Sequence, residues 1–464
     1  MKIAFINTNT IKPPIAPIGL EYTAEAARAA GHEIIPLDLC WEENIPGAIE
    51  RFFQNNSPDM AAVTLRNTDD CGFTTRQSFL DEFSDILTHI KRSADAFIVV
   101  GGVGFSTMPA DIMNTVDVDA GIWGEGEFTL PRLAAAIEKK EEWRDIPNVI
   151  TRENHTSIGR AIFPSLDQLP SMKRDVFDNT RYFREGGQAG FETKRGCPAD
   201  CIYCADPLAK GARLRKRPPS DVADEIEALY SQGVDHFHTC DSEFNLDEQH
   251  AKDVCREFIF RKLGDKIRWY AYCTISPFSA ELAKLMKDAG CVGVNFGADN
   301  GEEEMLRRLG RNFPPEDIMS AAKLCRKNKM AVMFDLLLGA PGETVKTLAH
   351  TVDLMKWAEP DRVGVTVGIR VYPGTRLASI VHTPEYREGL SGGNTEPLFY
   401  LDPHVEPFIF EHLEKLIGDD ERFLFFAPGK KDVNYNYNAN TILQEAIKNG
   451  QRGAYWDILR KYKG

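Results

Sequence analysis

Short apolar runs alternate with amphipathic ones twice along this chain, and no other feature constrains its fold as tightly. In the first 150 residues the apolar runs fall at 2–7, 33–39, 60–65, 97–101 and 120–123, with helical periodicity at 20–30 and 77–92. Strands separated by helices predict a parallel sheet wound on both faces, a Rossmann-like α/β layer. From residue 189 the alternation resumes, with strands at 189–194, 234–240, 267–274, 291–297, 330–339 and 362–370. Helices fall between them at 220–231, 247–262, 280–289, 315–327 and 344–357. Ser220 is placed as an N-cap, with Val222, Ile226 and Leu229 on one face behind it. Six such units predict a partial (β/α)6 barrel, since a closed one needs eight.

The remaining segments lack this rhythm. Residues 151–188 contain Pro164, Pro170 and a charged stretch at 173–175, and read as a linker. Beyond about 385 the chain turns glycine- and proline-rich over 388–406 and then amphipathic at 407–417 and 441–462. The domains expected are therefore 1–150, a linker at 151–188, a barrel at 189–385 and a small C-terminal cap at 386–464. The cap includes a polar aromatic loop, Asn434, Tyr435, Asn436, Tyr437 and Asn438.

Charge narrows the function classes. A net charge of −14 argues against general nucleic-acid or anionic-membrane binding, both of which need a basic face. The basic run from Lys210 to Arg217 opposes that trend, as a solvated face or as an anion contact. No stretch reaches the roughly 20 apolar residues of a membrane span, and the N-terminal residues do not fit a signal peptide. A cytoplasmic location is expected. There the ten cysteines would be reduced, so a cluster of them points to metal rather than disulfides.

Such a cluster follows the first barrel strand. In Lys194-Arg195-Gly196-Cys197-Pro198-Ala199-Asp200-Cys201-Ile202-Tyr203-Cys204, the three thiols surround one point if the loop curls, as Gly196 and Pro198 permit. Three thiolates are one short of a closed four-cysteine site, which leaves an open position for chemistry. The rival reading is structural zinc with His236, His238 or Cys240 as fourth ligand. In the N-terminal half, glycine turns end two strands: Gly101-Gly102-Val103-Gly104 and Gly124-Glu125-Gly126-Glu127. Ligands of such sheets sit at the carboxyl ends of the strands, and glycine lets backbone approach them closely.

Cys-x3-Cys-x2-Cys after the first strand of a partial barrel resembles the radical S-adenosylmethionine (SAM) superfamily. The resemblance implies that Cys197, Cys201 and Cys204 hold a [4Fe-4S] cluster whose fourth iron binds and cleaves SAM. Further matches run over roughly 189–380. Tyr203 stands where the family has an aromatic near the adenine. Asp241 and Glu243 end the second strand, where polar groups meet the SAM amino group. Asp299 and Asn300 stand in the place of a glutamate–serine pair, and Gly339 opens a Gly-Ala-Pro-Gly turn after the fifth strand. Tyr372-Pro373-Gly374-Thr375 resembles the counterpart after the sixth.

The N-terminal half resembles the cobalamin (B12)-binding domain of one branch of that superfamily, through Pro17-Ile18-Gly19-Leu20, Gly101, Gly102, Gly124 and Glu125. The Asp-x-His-x-x-Gly motif that ligates cobalt elsewhere is absent, with Asn7-Thr8-Asn9-Thr10 in its place. Arg66, at the end of the third strand, is then the residue expected beneath the cobalt.

The resemblance implies a B12-dependent methyltransferase that passes a methyl group from SAM through cobalamin to an unactivated carbon of a small molecule. It also implies an electron donor such as flavodoxin or ferredoxin. Relatives that cyclise or rearrange substrates without methyl transfer form the second reading, and a non-catalytic cobalamin- or zinc-binding protein the third. Tyr270, Tyr272, Arg370 and the loop from Asn434 to Asn438 are candidates for substrate contact by position.

Overall fold

The two alternations fold into two parallel sheets that face each other across a cleft. The structure, a computed structural model, describes all residues except 156–160, 394–395, 426–427, 429–436, 438–439 and 463–464. The first sheet has the order β2-β1-β3-β4-β5-β6. Its strands are β1 (Lys2–Asn7), β2 (Glu33–Asp38), β3 (Met60–Thr64), β4 (Phe97–Gly101), β5 (Ala120–Ile122) and β6 (Val149–Ile150), of which only β6 runs antiparallel. Alternate residues of β1, β3 and β4 point to opposite faces. Ala4, Ile6, Ala61 and Val63 enter one core, and Ile3, Phe5, Met60 and Ala62 the other. A strand buried on both faces reads as a continuous apolar run, which is why these strands stand out in the sequence.

The second sheet has the order β18-β14-β13-β12-β11-β10-β7 and is parallel throughout. It comprises β7 (Ala189–Phe191), β10 (His236–Thr239), β11 (Arg268–Thr274), β12 (Cys291–Asp299), β13 (Ala331–Leu338), β14 (Arg362–Val367) and β18 (Phe423–Phe425). The predicted six strands are present. A seventh, β18, comes from the segment assigned by sequence to the cap and pairs with β14. A short hairpin of β8 (Lys194–Arg195) and β9 (Arg215–Lys216) frames the cysteine loop. The glycine- and proline-rich stretch forms a small antiparallel sheet from β15 (Ile369–Arg370), β16 (Leu390–Gly393) and β17 (Glu396–Tyr400).

One helix start differs from its expectation. The helix Pro219–Ser231 is entered at Pro218 with no side-chain cap, and Ser220 lies inside the first turn. Proline at the first helical position presets φ and lacks the amide that a cap would satisfy. The tail segment at 441–462 divides into two helices, Thr441–Lys448 and Tyr455–Lys461, with Gly450 and Gly453 at positive φ between them. The second helix closes the barrel floor, where Trp456 packs on Tyr270 and Met333.

The predicted linker is buried in part. Within 151–188, Met172, Val176, Phe177 and Tyr182 join the core, and Asn179–Gly186 is helical. Arg174 is 0% exposed and binds Glu21 at 2.5 Å and Glu225 at 2.6 Å. Glu225 also receives Arg217 and the Tyr22 hydroxyl. Glu125 accepts two hydrogen bonds from Arg215, and Glu127 accepts one from Arg195. The basic run at 210–217 thus contributes Arg215, alongside Arg195 and Arg174, to a buried ionic seam against the first domain. Its periodicity was unreadable because these charges pair across the fold rather than along the chain.

Candidate functional site

The site is built at the carboxyl ends of the strands of both sheets, beginning with the cysteine loop. Gly196 adopts φ +87°, and the Cys197 amide donates to Gly211 O at 3.0 Å, which starts the curl. The Ile202 amide bonds Leu309 O and the Leu377 amide bonds Ile202 O, pinning the loop between two helix ends. All three thiols are free of disulfides. Burial pushes the Cys197 thiol up to about 11 and also raises Cys201 and Cys204. Metal insertion must therefore release protons from these thiols.

Arg311 is the main residue that sequence reasoning missed. Its Nη1 donates to Cys201 Sγ at 3.1 Å and its Nε lies 3.2 Å from Asp299. Burial works against the cation, but Asp299, Tyr203 and Cys201 hold its pKa well above the ordinary value. The turn after the helix Glu303–Leu309 delivers it, with Gly310 at φ +79°. An arginine following a C-terminal glycine is ordinary in sequence, so only the packing marks it.

The predicted residues divide into two groups. Tyr203 donates to Asp299 at 2.5 Å, beside Arg311, and Asp299 itself has φ +60°. Burial, with Asp299 and Asp206 nearby, pushes Glu243 up to about 8. Gly297 leaves room between Glu243 and Arg311. Tyr203, Glu243 and Asp299 thus gather around the cysteine loop. Asp241, by contrast, accepts from the Thr193 amide and hydroxyl and from Lys194 Nζ. Asn300 bonds Glu343 and Thr351. Both bond within the barrel scaffold, Asp241 to the segment after β7 and Asn300 to the helix Val345–Ala358 and the turn before it. Gly339 has φ +92°, and its amide also donates to Glu343.

The zinc alternative loses its fourth ligand. His236 pairs with Asp235, His238 bonds Thr239 O, and Cys240 lines the interdomain cleft. Among the described residues no three His, Cys, Asp or Glu side chains converge on a single-ion site. Three free thiols with a cation at one sulfur suit an iron–sulfur cluster, whose charge such hydrogen bonds tune.

The cleft between the sheets is a cavity of about 340 Å³ reaching from Ile15–Leu20 and the strand ends at Gly101 and Gly124 to Gly190 and Cys240 on the barrel. Gly102 has φ +102°, and a Cβ there would stand 2.5 Å from Leu65 O. Glu125 borders the cleft, but its carboxylate is held by Arg215. Arg66 lies on the wall between this cavity and a second one near Asn9 and Phe83. Burial lowers its pKa, and the groups nearest its charge are Tyr455, Cys240 and Tyr272. An apolar slot floored by glycines, with a cation on its wall, fits a large flat cofactor with a buried tail.

Of the candidates for substrate contact, Tyr270 is packed in the floor with its hydroxyl on Asp457, and Arg370 is held by Asp69 at 2.9 Å. Tyr272 remains, with its ring 4.3 Å from His238. Of the polar aromatic loop only Tyr437 lies within the described residues.

Comparison with known proteins agrees with this geometry. The Radical SAM superfamily model matches residues 191–355 and the B12 binding domain model matches 6–134. Tryptophan 2-C-methyltransferase of Streptomyces laurentii is 32% identical, covering 81% of this chain and 74% of that protein. An uncharacterized methyltransferase of Pyrococcus horikoshii is 26% identical over 78% of this chain and 77% of its own. The solved structure of the radical SAM methyltransferase TsrM from Kitasatospora setae, with cobalamin and a [4Fe-4S] cluster bound, superposes with a TM-score of 0.90 at 29% identity. It covers 99% of this chain and 97% of that one. The cobalamin-dependent SAM radical enzyme OxsB shares the fold, at a TM-score of 0.70 and 16% identity. No described helix is long and apolar enough to cross a membrane. With SAM, cobalamin and a [4Fe-4S] cluster as its cofactors, the chain belongs to the radical SAM enzymes that carry a B12-binding domain, and within them to the methyltransferases.

Proposed function

We propose that this chain methylates a carbon of a small aromatic molecule, with the indole ring of tryptophan as first candidate, and that Cys197, Cys201 and Cys204 hold its cluster. One observation supports this reading above the others. Arg66, on the wall of the glycine-floored cleft, stands near Tyr272 of the barrel, whose ring lies 4.3 Å from that of His238. When bound, cobalamin and SAM supply the methyl group and its carrier.

The protein's own residues do the positioning. Arg311 steadies the thiolate of Cys201, and Tyr203 and Asp299 shape the adjoining wall. Glu243 is held protonated near neutral pH by burial, so it can donate to a carboxylate or amine lone pair. Gly102 would let the β4 end approach a bound cobalamin, and Arg66, on the wall of the same cleft, would help to hold it. Trp456 closes the floor, and Phe73, in the loop after β3, packs on Phe399 and Phe410 of the barrel half. An acidic one-electron donor of the flavodoxin or ferredoxin class would reduce the cluster.

The test is anaerobic reconstitution with iron, sulfide and hydroxocobalamin, followed by SAM carrying a deuterated methyl group, tryptophan and a reductant. Methylated tryptophan with S-adenosylhomocysteine is the expected product pair. 5′-Deoxyadenosine with no labelled methyl on any product would instead favour a cyclising or rearranging enzyme.

A further inference from the structure

Inside the barrel, one layer of side chains between the floor and the cysteine loop holds two polar groups, Asn295 and Asp335, that have no part in the site so far described. Strand alternation puts it there. On β12, Val294, Phe296 and Ala298 face the helices, so Asn295 faces inward. On β13, Val332, Phe334 and Leu336 face the helices, while Met333 enters the floor, so Asp335 faces inward one pleat above it. Tyr272 stands in the same relation to Tyr270. Tyr272 is 45% exposed although His238 lies against its ring, so it borders open space rather than packed core.

The hydrogen bonding of this layer is directional. Asn295 Nδ2 donates to Asp335 Oδ2 at 2.8 Å, which fixes the amide with its oxygen turned away from the carboxylate. That oxygen, Oδ1, has no partner among the described residues, although Asn295 is only 5% exposed. A buried acceptor left without a donor costs roughly as much as a lost hydrogen bond, so its persistence calls for a ligand. An amide oxygen beside a carboxylate is a pair of acceptors, one of them anionic. The complementary group carries several N–H donors and a positive charge.

We infer that Asn295 and Asp335 bind the ammonium group of the substrate, so that the enzyme selects amine-bearing aromatic molecules over their deaminated analogues. Tyr272, backed by His238, then lies against the aromatic ring of the same molecule. The inference rests on the proposed methylation of a small aromatic molecule and specifies the anchor that reading lacks.

The experiment measures binding to the cobalamin- and cluster-loaded enzyme by anaerobic calorimetry, with tryptophan, tryptamine and indole-3-propionate as probes. The unaltered enzyme is expected to prefer both amines over indole-3-propionate by about tenfold or more, the scale of one charged hydrogen bond. Asp335→Asn should abolish that preference while leaving indole-3-propionate affinity unchanged. Asn295→Asp, which adds a second carboxylate, should preserve or raise it, and it carries the test if Asp335→Asn does not fold. Equal affinities in the unaltered enzyme, no binding of either amine, or parallel losses for all probes in Asp335→Asn would overturn the inference. Methyl transfer is assayed separately. Amine preference without methylation would remove tryptophan as the acceptor but keep the anchor, and methylation unaffected by Asp335→Asn would do the reverse.

Discussion

Glu343 is a carboxyl group held in the wrong medium for its charge. Burial pushes it up to about 7, against hydrogen bonds from Thr347, Gly339 and Asn300 that favour ionisation. Its folded pKa lies above its unfolded one. Its contribution to stability is therefore fully present below about pH 4.5 and is lost as pH rises through 7, a change of about 3 kcal/mol. Glu343→Gln keeps the acceptor for Gly339 and Asn300, so thermal unfolding of this variant should lose that pH dependence between pH 5 and 8. A melting profile that still falls across that range would assign it to another group. Arg311 makes a second prediction. Removing a cation that donates to Cys201 Sγ favours the oxidised cluster, so Arg311→Gln should lower the reduction potential with iron content retained. A redox titration followed by electron paramagnetic resonance would check this. The cysteines were legible because their chemistry depends on spacing along the chain. Arg311, Asn295 and Asp335 were not, because their partners lie on other strands and turns.

Among elements, the loop after β4 is the most sharply constrained. A side chain at Gly102 would meet Leu65 O while adopting φ +102°, a conformation costing a non-glycine residue on the order of 1–3 kcal/mol. Gly102→Ala is expected to weaken cobalamin binding at least tenfold while the cluster still assembles, read as the absorption of retained cobalamin after gel filtration. Equal retention would place the corrin elsewhere. Strands β1, β3 and β4 were readable because both their faces are apolar. Strand β18 was not, since three residues acquire strand identity only by pairing with β14. Within the predicted linker the same holds of one residue. Arg174 is polar in sequence, yet it is enclosed by two carboxylates from separate helices.

For the whole molecule, that arginine joins the two halves. Arg174→Ala would leave Glu21 and Glu225 facing each other with a single remaining cation, Arg217. Breaking a buried pair in this way costs about 3–5 kcal/mol, so the midpoint of urea unfolding should fall markedly. A loss under 1 kcal/mol would show that the seam is hydrated. The distribution of sign across this seam has a consequence for synthesis. Glu21, Glu125 and Glu127 come from the first half, and their partners Arg174, Arg195 and Arg215 all come later. While the ribosome is still making the barrel, the finished first half therefore presents three carboxylates without their arginines, a negative face beside the apolar cleft. Nascent chains repel one another through that face and resist aggregation until their own arginines emerge to neutralise it.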